Sequence, residues 1–158
     1  MEKLTFRQAE EADCGLVLEF IRQLAEYEKM LPEVVATEQL LHRALFQDRR
    51  AEAIFALEDG VEVGFALYFH NFSTFVGRSG LYLEDLFVKP AYRGRGYGKA
   101  LLKRLAKIAV ERGCGRFEWV CLDWNQPSID FYCSLGAVPQ DEWIIYRLTG
   151  EALQKLAE

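Results

Sequence analysis

The residues of this sequence that could take part in chemistry fall in three short segments. Glu84 and Asp85 are consecutive carboxylates inside an otherwise apolar run, GLYLEDLFV. Strand alternation predicts that the two point to opposite faces of a sheet, so each needs a reason to be there. Tyr132, in NQPSIDFYCSLGA, offers a phenol that can donate a proton. Between these segments stands RGRGYG, in which three glycines alternate with two arginines and a tyrosine.

The glycine-rich segment has the features of a phosphate-binding turn. It follows a strand-like run and precedes an amphipathic helix, so its backbone N–H groups would lie at the positive end of a helix dipole. Gly94, Gly96 and Gly98 let the backbone approach a ligand closely, and Arg93 and Arg95 add positive charge. We therefore expect a phosphorylated cofactor here, with an ordinary solvated turn that caps the helix as the alternative.

Two common phosphate-binding motifs do not match this turn. The ATP-type motif GxxxxGK followed by Ser or Thr is absent. The dinucleotide fingerprint GxGxxG fails because Lys99 stands where its last glycine should be. A nucleotide-dependent oxidoreductase is therefore disfavoured as an interpretation.

The turn resembles the pyrophosphate signature Gln/Arg-x-x-Gly-x-Gly/Ala of the GNAT superfamily of N-acetyltransferases. NQPSIDFYCSLGA, some 35 residues further on, is similar to that family's second cofactor motif. AEYEKM, LYLEDLFV and WNQPSIDFY together resemble the diamine (spermidine/spermine) N-acetyltransferase family and its thialysine-acetylating relatives. The resemblance covers nearly the whole chain. It departs between Glu52 and Gly60 and after Ala137, where this chain is shorter than the eukaryotic members.

The resemblance implies an acetyl-CoA-dependent enzyme with the GNAT fold, an α/β (α+β) protein whose mixed central sheet is flanked by helices. An amine with a reference pKa of about 10.4 must lose its proton, an oxyanion must be stabilised, and a thiolate must be protonated. No metal is implied. The residues expected to bind acetyl-CoA are Leu86, Phe87, Val88, Arg93, Gly94, Arg95, Gly96, Tyr97, Gly98, Lys99, Asn125, Gln126, Pro127 and Ser128.

The same resemblance assigns the catalytic and substrate-binding residues. Tyr132 is the implied general acid, Glu84 the base, through water, or an anchor for the ammonium, and the Val88 N–H the oxyanion donor. The alternatives are a core tyrosine for Tyr132 and a structural ion pair for Asp85. The residues expected to bind the amine are Tyr27, Glu28, Glu84, Asp85, Glu118, Trp119 and Val120.

The acceptor is expected to be a small primary amine, either a polyamine or a lysine-like molecule such as thialysine. Glu28, Glu84, Asp85 and Glu142 are all acidic, and several carboxylates near one site attract a molecule with two or more ammonium groups. Two further alternatives stay open: a CoA-binding regulatory module without turnover, and an acetyltransferase that acts on a peptide or another amine. The presence of both Tyr132 and Glu84 favours the enzyme.

The elements that must position these residues follow the order β-α-α-β-β-β-α-β-α-β-α. Asp13 and Thr37 are predicted to cap the first two helices, and Pro32 to close the first. Asp59-Gly60 suits a tight hairpin turn, and Gly113 is placed to end the helix after the glycines. The predicted strands are KLTFRQ, AEAIFALE, VEVGFALYFHNF, GLYLEDLFV, RFEWVCL and EWIIYRL. The last two predicted helices are 125–135 and GEALQKLAE.

Composition limits the remaining possibilities. At 158 residues the chain has the size of one domain, and its formal charge of -5 argues against a nucleic-acid partner. No apolar run is long enough to span a membrane, so we expect a soluble cytoplasmic protein. Four scattered cysteines and two histidines favour neither a metal site nor a disulfide scaffold. The resemblance implies a homodimer, and the aromatic-rich middle strands are consistent with an interface.

Overall fold

The computed structural model of the protein describes residues 4–158. The chain forms two compact units that divide between Val120 and Cys121. The expectation that residues 1–158 are one domain stays a prediction. No helix among the described residues is both long enough and apolar enough to cross a membrane. The cytoplasmic location also stays a prediction.

The first unit is built on a five-stranded mixed sheet in the order β1-β2-β3-β4-β5. Neighbouring strands are antiparallel except β4 and β5, which are parallel. The strands are β1 Leu4–Gln8, β2 Glu52–Glu58, β3 Val61–Ser73, β4 Arg78–Val88 and β5 Phe117–Trp119. The helices are α1 Cys14–Tyr27, α2 Glu38–His42, which continues as a π-helical turn over Arg43–Gln47, and α3 Tyr97–Glu111. The predicted mixed sheet with flanking helices is confirmed.

Helices α1 and α3 cover opposite faces of this sheet. Phe65 of β3 stacks on Phe20 of α1, with ring centroids 5.0 Å apart. The preceding residue in the strand, Gly64, faces α3, because a Cβ added there would lie 3.3 Å from a methyl group of Leu101. Adjacent strand residues point to opposite faces, so the two contacts place the helices on different sides. β3 is the central strand of the five, and the apolar faces of α1 and α3 are buried on the two sides of the sheet.

Local signals placed most helix and turn boundaries correctly. The Thr37 hydroxyl accepts a hydrogen bond from the Leu40 N–H at 3.2 Å, as an N-cap should. Asp59 and Gly60 both have positive φ, 49° and 84°, and join β2 to β3 through the expected tight turn. Helix α1, however, ends at Tyr27, well before Pro32.

Asp13 occupies the N-cap position of α1 but makes no capping hydrogen bond through its side chain. Its carboxylate instead accepts two hydrogen bonds from Arg7, at 2.7 and 2.9 Å, and one from the Glu10 N–H. The charge-assisted pair with Arg7 is the stronger partner, and it lowers the pKa of Asp13. The predicted start of α1 is therefore right, but the prediction that the Asp13 side chain caps the helix is wrong.

A β-bulge at Glu84 overturns the expectation that the two carboxylates of β4 point to opposite faces. Asp85 pairs with Leu67 of β3, whereas Leu83 pairs with Tyr68, so Glu84 is an extra residue without a counterpart. A bulge of this kind shifts the alternation by one residue and brings two neighbouring side chains to one side. Phe87, two residues further along β4, packs against α1, so Asp85 lies on the face that α1 covers and the bulge brings Glu84 to the same side.

The second unit contains helix α4, Gln126–Ser134, and helix α5, Gly150–Leu156. The predicted strand EWIIYRL is wrong, since residues 142–148 form no strand, and RFEWVCL is reduced to the three residues of β5. Trp143 and Tyr146 are 76% and 91% exposed. Their side chains have strand propensity, but a strand also needs a neighbour to supply the hydrogen-bonded ladder, which a local pattern cannot reveal.

Candidate active site

The glycine-rich turn lies between β4 and α3, and its conformation requires glycine at two positions. Gly94 and Gly96 have φ of 78° and 81°, and Gly96 is the residue from which α3 begins. A Cβ added at either glycine would meet no atom within 4 Å beyond its two neighbours in the chain. The requirement therefore comes from the left-handed backbone, and the space over the turn is open to a ligand.

The first arginine of the turn points back into the unit. The Nε of Arg93 donates a hydrogen bond to the carbonyl of Val88 at 2.9 Å. Its guanidinium lies over the rings of Tyr27 and Phe87, at 5.1 and 5.0 Å from their centroids. Arg93 thus joins the turn to the end of β4 and to the end of α1.

The end of β4 has one open backbone edge. The Lys89 N–H donates to the Val63 carbonyl of β3 at 2.9 Å, so the next opposed pair, Gly64 and Val88, is a non-hydrogen-bonded pair. The N–H of Val88, and by the same alternation that of Leu86, therefore points away from β3. Strand β5 pairs with β4 only over Leu81–Leu83, so it does not cover that edge near Val88.

Three carboxylates interact near the bulge. Burial raises the pKa of Asp85 from 3.8 to about 7, and the charges of Glu84 and Glu28 add to the effect. Burial also raises the pKa of Glu28, at the C-terminal end of α1, with Glu84 as the second cause. We call Glu28, Glu84 and Asp85 the acidic cluster. Mutual repulsion and desolvation oppose its full ionisation, and a bound cation would relieve both.

The second unit carries the other predicted motif. Asn125 is 8% exposed, and its Oδ1 accepts a hydrogen bond from the Ser128 N–H at 3.3 Å, which confirms it as the N-cap of α4. Pro127 lies in the first turn, and the Gln126 amide donates to Asp130 at 2.7 Å. Tyr132 is half-buried on the same helix, 5.7 Å from the Phe131 ring.

Comparison with known proteins decides the family to which these motifs belong. The acetyltransferase (GNAT) family model matches residues 18–137. The chain belongs to the GNAT acetyltransferase family. A thialysine N-epsilon-acetyltransferase of Sus scrofa is 39% identical over 99% of this chain and 99% of its own length. An L-ornithine N5-acetyltransferase of Arabidopsis thaliana is 33% identical over 95% of this chain and 86% of its own length.

The same family fold is found in an integron cassette protein from the mobile metagenome of V. cholerae. That structure is 30% identical to this acetyltransferase and superposes with a TM-score of 0.81 over 98% of both chains. The predicted GNAT fold and the resemblance to the thialysine-acetylating relatives are therefore confirmed.

Three residues expected to bind the amine are not part of the acidic cluster. Glu118 of β5 accepts a hydrogen bond from the Asn71 amide at 3.3 Å and lies 4.0 Å from Arg116. The Trp119 ring packs against Phe117, with centroids 5.0 Å apart, and Val120 is exposed. The contacts of Glu118 with Asn71 and Arg116 give it a structural role of its own in the acetyltransferase.

Sequence reasoning missed Glu58. In the sequence Glu58 only ends a predicted strand before the Asp59-Gly60 turn, yet its carboxylate accepts hydrogen bonds from Arg95 and Tyr97 of the glycine-rich turn. The partners are 37 and 39 residues away, so no local pattern could have indicated the contact. Over residues 4–158, no group of three or more His, Cys, Asp or Glu side chains is arranged to hold a metal ion.

Proposed function

We propose that this protein is an acetyl-CoA-dependent N-acetyltransferase that acts on a small primary amine, either a polyamine or a lysine-like amino acid such as thialysine. The observation that carries the proposal is the acidic cluster, Glu28, Glu84 and Asp85, in the same unit as the glycine-rich turn. Three carboxylates with shared repulsion favour an acceptor that carries more than one positive charge.

The acetyl donor would be held by the glycine-rich turn and the open edge of β4. The N–H groups at the start of α3 and the side chain of Arg95 suit a pyrophosphate. The outward N–H of Val88 is oriented to donate to the thioester oxygen, where negative charge develops during attack. Arg93 is tied to the Val88 carbonyl, so it would fix the strand end that carries this donor.

Proton removal from the amine would fall to the acidic cluster. Glu84 would be the base, directly or through water, and Asp85 would be its partner. Because burial and two neighbouring carboxylates hold the pKa of Asp85 at about 7, it can carry or release a proton at neutral pH. One carboxylate would hold a distal ammonium while another receives the reacting proton.

In this proposal the amine attacks the thioester carbon directly, and the C–S bond breaks as the tetrahedral intermediate collapses. Tyr132 would then protonate the departing CoA thiolate, as its position in the second motif implies. The capping contact of Asn125 holds the start of the helix that carries Tyr132.

The relatives support the choice of acceptor. The proteins of Sus scrofa and Arabidopsis thaliana are named for thialysine and L-ornithine. Both molecules are amino acids with a primary amine at the end of a side chain, which is the chemistry that the acidic cluster suits. We also propose a homodimer, supported by the exposed apolar side chains of Trp143, Ile144, Ile145 and Tyr146.

The function is tested by incubating the protein with acetyl-CoA, a panel of amines and a thiol reagent that detects free CoA. We expect amine-dependent CoA release with spermidine, thialysine, lysine or ornithine. Binding of acetyl-CoA without release for any amine would favour a regulatory module. Fastest release with a histone-tail peptide would leave the acetyl donor correct and the acceptor wrong.

A further inference from the structure

We propose that Glu58 is a positioning residue for the glycine-rich turn: it fixes Arg95 and Tyr97, on either side of Gly96, so that the turn is ordered before acetyl-CoA binds. The inference rests on the proposed function, because it assumes that this turn receives the pyrophosphate. Glu58 itself touches neither substrate in this proposal and acts through the turn.

One carboxylate oxygen holds both partners. The Oε1 of Glu58 accepts a hydrogen bond from Nη1 of Arg95 and another from the Tyr97 hydroxyl, the latter at 2.5 Å. The Glu58 side chain is 12% exposed, and Tyr97, the first residue of α3, is buried. A charge-assisted contact is stronger than one between neutral groups. The Tyr97 contact is the better shielded of the two, because the Arg95 side chain is 37% exposed and water screens its ion pair.

The arrangement explains how so glycine-rich a turn can keep one conformation. The side chains of Arg93, Arg95 and Tyr97 each contact a part of the unit outside the turn, Val88 for the first and Glu58 for the other two. Gly94 and Gly96, the two residues with positive φ, lie between these anchored residues. Glycine has more backbone freedom than any other residue, so an unanchored turn would lose that freedom only on binding.

A second interpretation of the same contact predicts the opposite effect of Glu58 on CoA binding. Glu58 could neutralise Arg95 and so weaken the attraction of the turn for phosphate. The hydrogen bond from Tyr97 argues for positioning, because a neutral, buried phenol adds no charge that would need to be balanced. The two interpretations differ in whether loss of the carboxylate weakens or strengthens CoA binding.

The test compares Glu58→Ala and Glu58→Gln with wild type in CoA binding by calorimetry and in steady-state kinetics. We expect Glu58→Ala to raise the Kd of CoA and the KM of acetyl-CoA about tenfold, with kcat at saturation within about twofold. The Glu58→Gln variant, whose amide oxygen can still accept both hydrogen bonds, should give Kd and KM values between those of wild type and Glu58→Ala. With S-acetylpantetheine, a donor without pyrophosphate, kcat/KM should not change.

Two further variants separate positioning from general damage to the fold. Glu52→Ala removes another glutamate of β2 that pairs with an arginine, Arg112, through two hydrogen bonds of 2.6 and 3.0 Å, and should leave the Kd of CoA unchanged. Tyr97→Phe removes only the hydroxyl and keeps the buried ring, so it should raise the Kd several-fold even if Glu58→Ala fails to fold.

The outcomes distinguish this inference from the proposed function. If wild-type protein binds no CoA, the proposed function fails and the inference fails with it. If wild type binds CoA but both Glu58→Gln and Tyr97→Phe bind it as tightly or more tightly, only the positioning role of Glu58 is overturned. Equal losses with acetyl-CoA and S-acetylpantetheine would also overturn it, since they indicate a defect outside the turn.

Discussion

At the scale of single residues, Asp85 is the carboxyl whose pKa its surroundings raise to about 7. Its carboxyl is largely buried beside two other carboxylates, and its pKa rises from 3.8 to about 7. A raised acid pKa means that the folded protein binds the proton more tightly than the unfolded chain does. Stability contributed by the protonated form is therefore complete below about pH 4 and lost as the pH rises towards 7.

We expect Asp85→Asn to stabilise the protein at pH 8, by up to about 4 kcal/mol at 1.36 kcal/mol for each unit of pKa shift. The variant keeps the shape of the side chain but cannot ionise. Chemical denaturation of both proteins from pH 4 to pH 8 measures the difference, which should shrink towards pH 4. A difference that is the same at every pH would show that ionisation of Asp85 does not cause it.

Tyr132 is the second residue whose role can be isolated. Tyr132→Phe removes the proposed proton donor for the thiolate, so kcat should fall more than the KM for acetyl-CoA rises. We expect a loss near the low end of the ~10²–10⁴-fold range of general acids, because water can substitute in part. Tyr146→Phe, at an exposed tyrosine of the same unit, is the control. Equal kcat values for wild type and Tyr132→Phe at neutral pH would rule out the assignment.

At the scale of elements, the glycine-rich turn should tolerate no side chain at Gly96. Gly96→Val strains a backbone with φ of 81° and places methyl groups in the open space over the turn. We expect the thermal stabilisation of wild type by CoA to disappear in this variant. Gly113→Ala, which strains a φ of 72° just beyond the other end of α3, should keep that stabilisation. Loss of the CoA shift in both variants would contradict a specific role for the turn.

Elements whose signals are local could be predicted from the sequence, and those that depend on a distant partner could not. The Thr37 cap and the Asp59-Gly60 turn involve residues within a few positions of each other, and both were predicted correctly. The bulge at Glu84 arises from the register of β4 against β3, and residues 142–148 lack a strand partner. The glycine-rich turn was found from its motif, but its contact with Glu58 required the structure.

At the scale of the whole molecule, residues 143–146 should take part in a homodimer. Four large apolar side chains are exposed there in succession, which is unusual for a surface that meets only water. Sedimentation equilibrium at micromolar concentrations should give a dimer, and Ile145→Glu should shift it to monomer. A wild-type monomer across that range would exclude this assembly.

The formal charge of -5 and the acidic cluster together predict a cationic acceptor. Carboxylates in a partly buried site attract a molecule with two ammonium groups more strongly than one with a single charge, and salt screens the longer-range part of that attraction. The KM for spermidine or thialysine should therefore rise with ionic strength. The KM for acetyl-CoA should rise as well, because its phosphates also bind through charge. Ionic strength alone therefore does not separate the two substrates, and a variant in the acidic cluster is the sharper test of acceptor binding.

Glu84→Gln should lower kcat/KM for spermidine and thialysine, because it removes one charge from the acidic cluster and the proposed base from the site. CoA affinity should stay within about twofold of wild type, since the turn that holds the pyrophosphate is unchanged. Glu111→Gln, at an exposed carboxylate at the C-terminal end of α3, is the matched control for the loss of one charge. If Glu84→Gln and Glu111→Gln turn over both amines equally well, the acidic cluster does not bind the acceptor, and only the acetyl-CoA half of the proposed function survives.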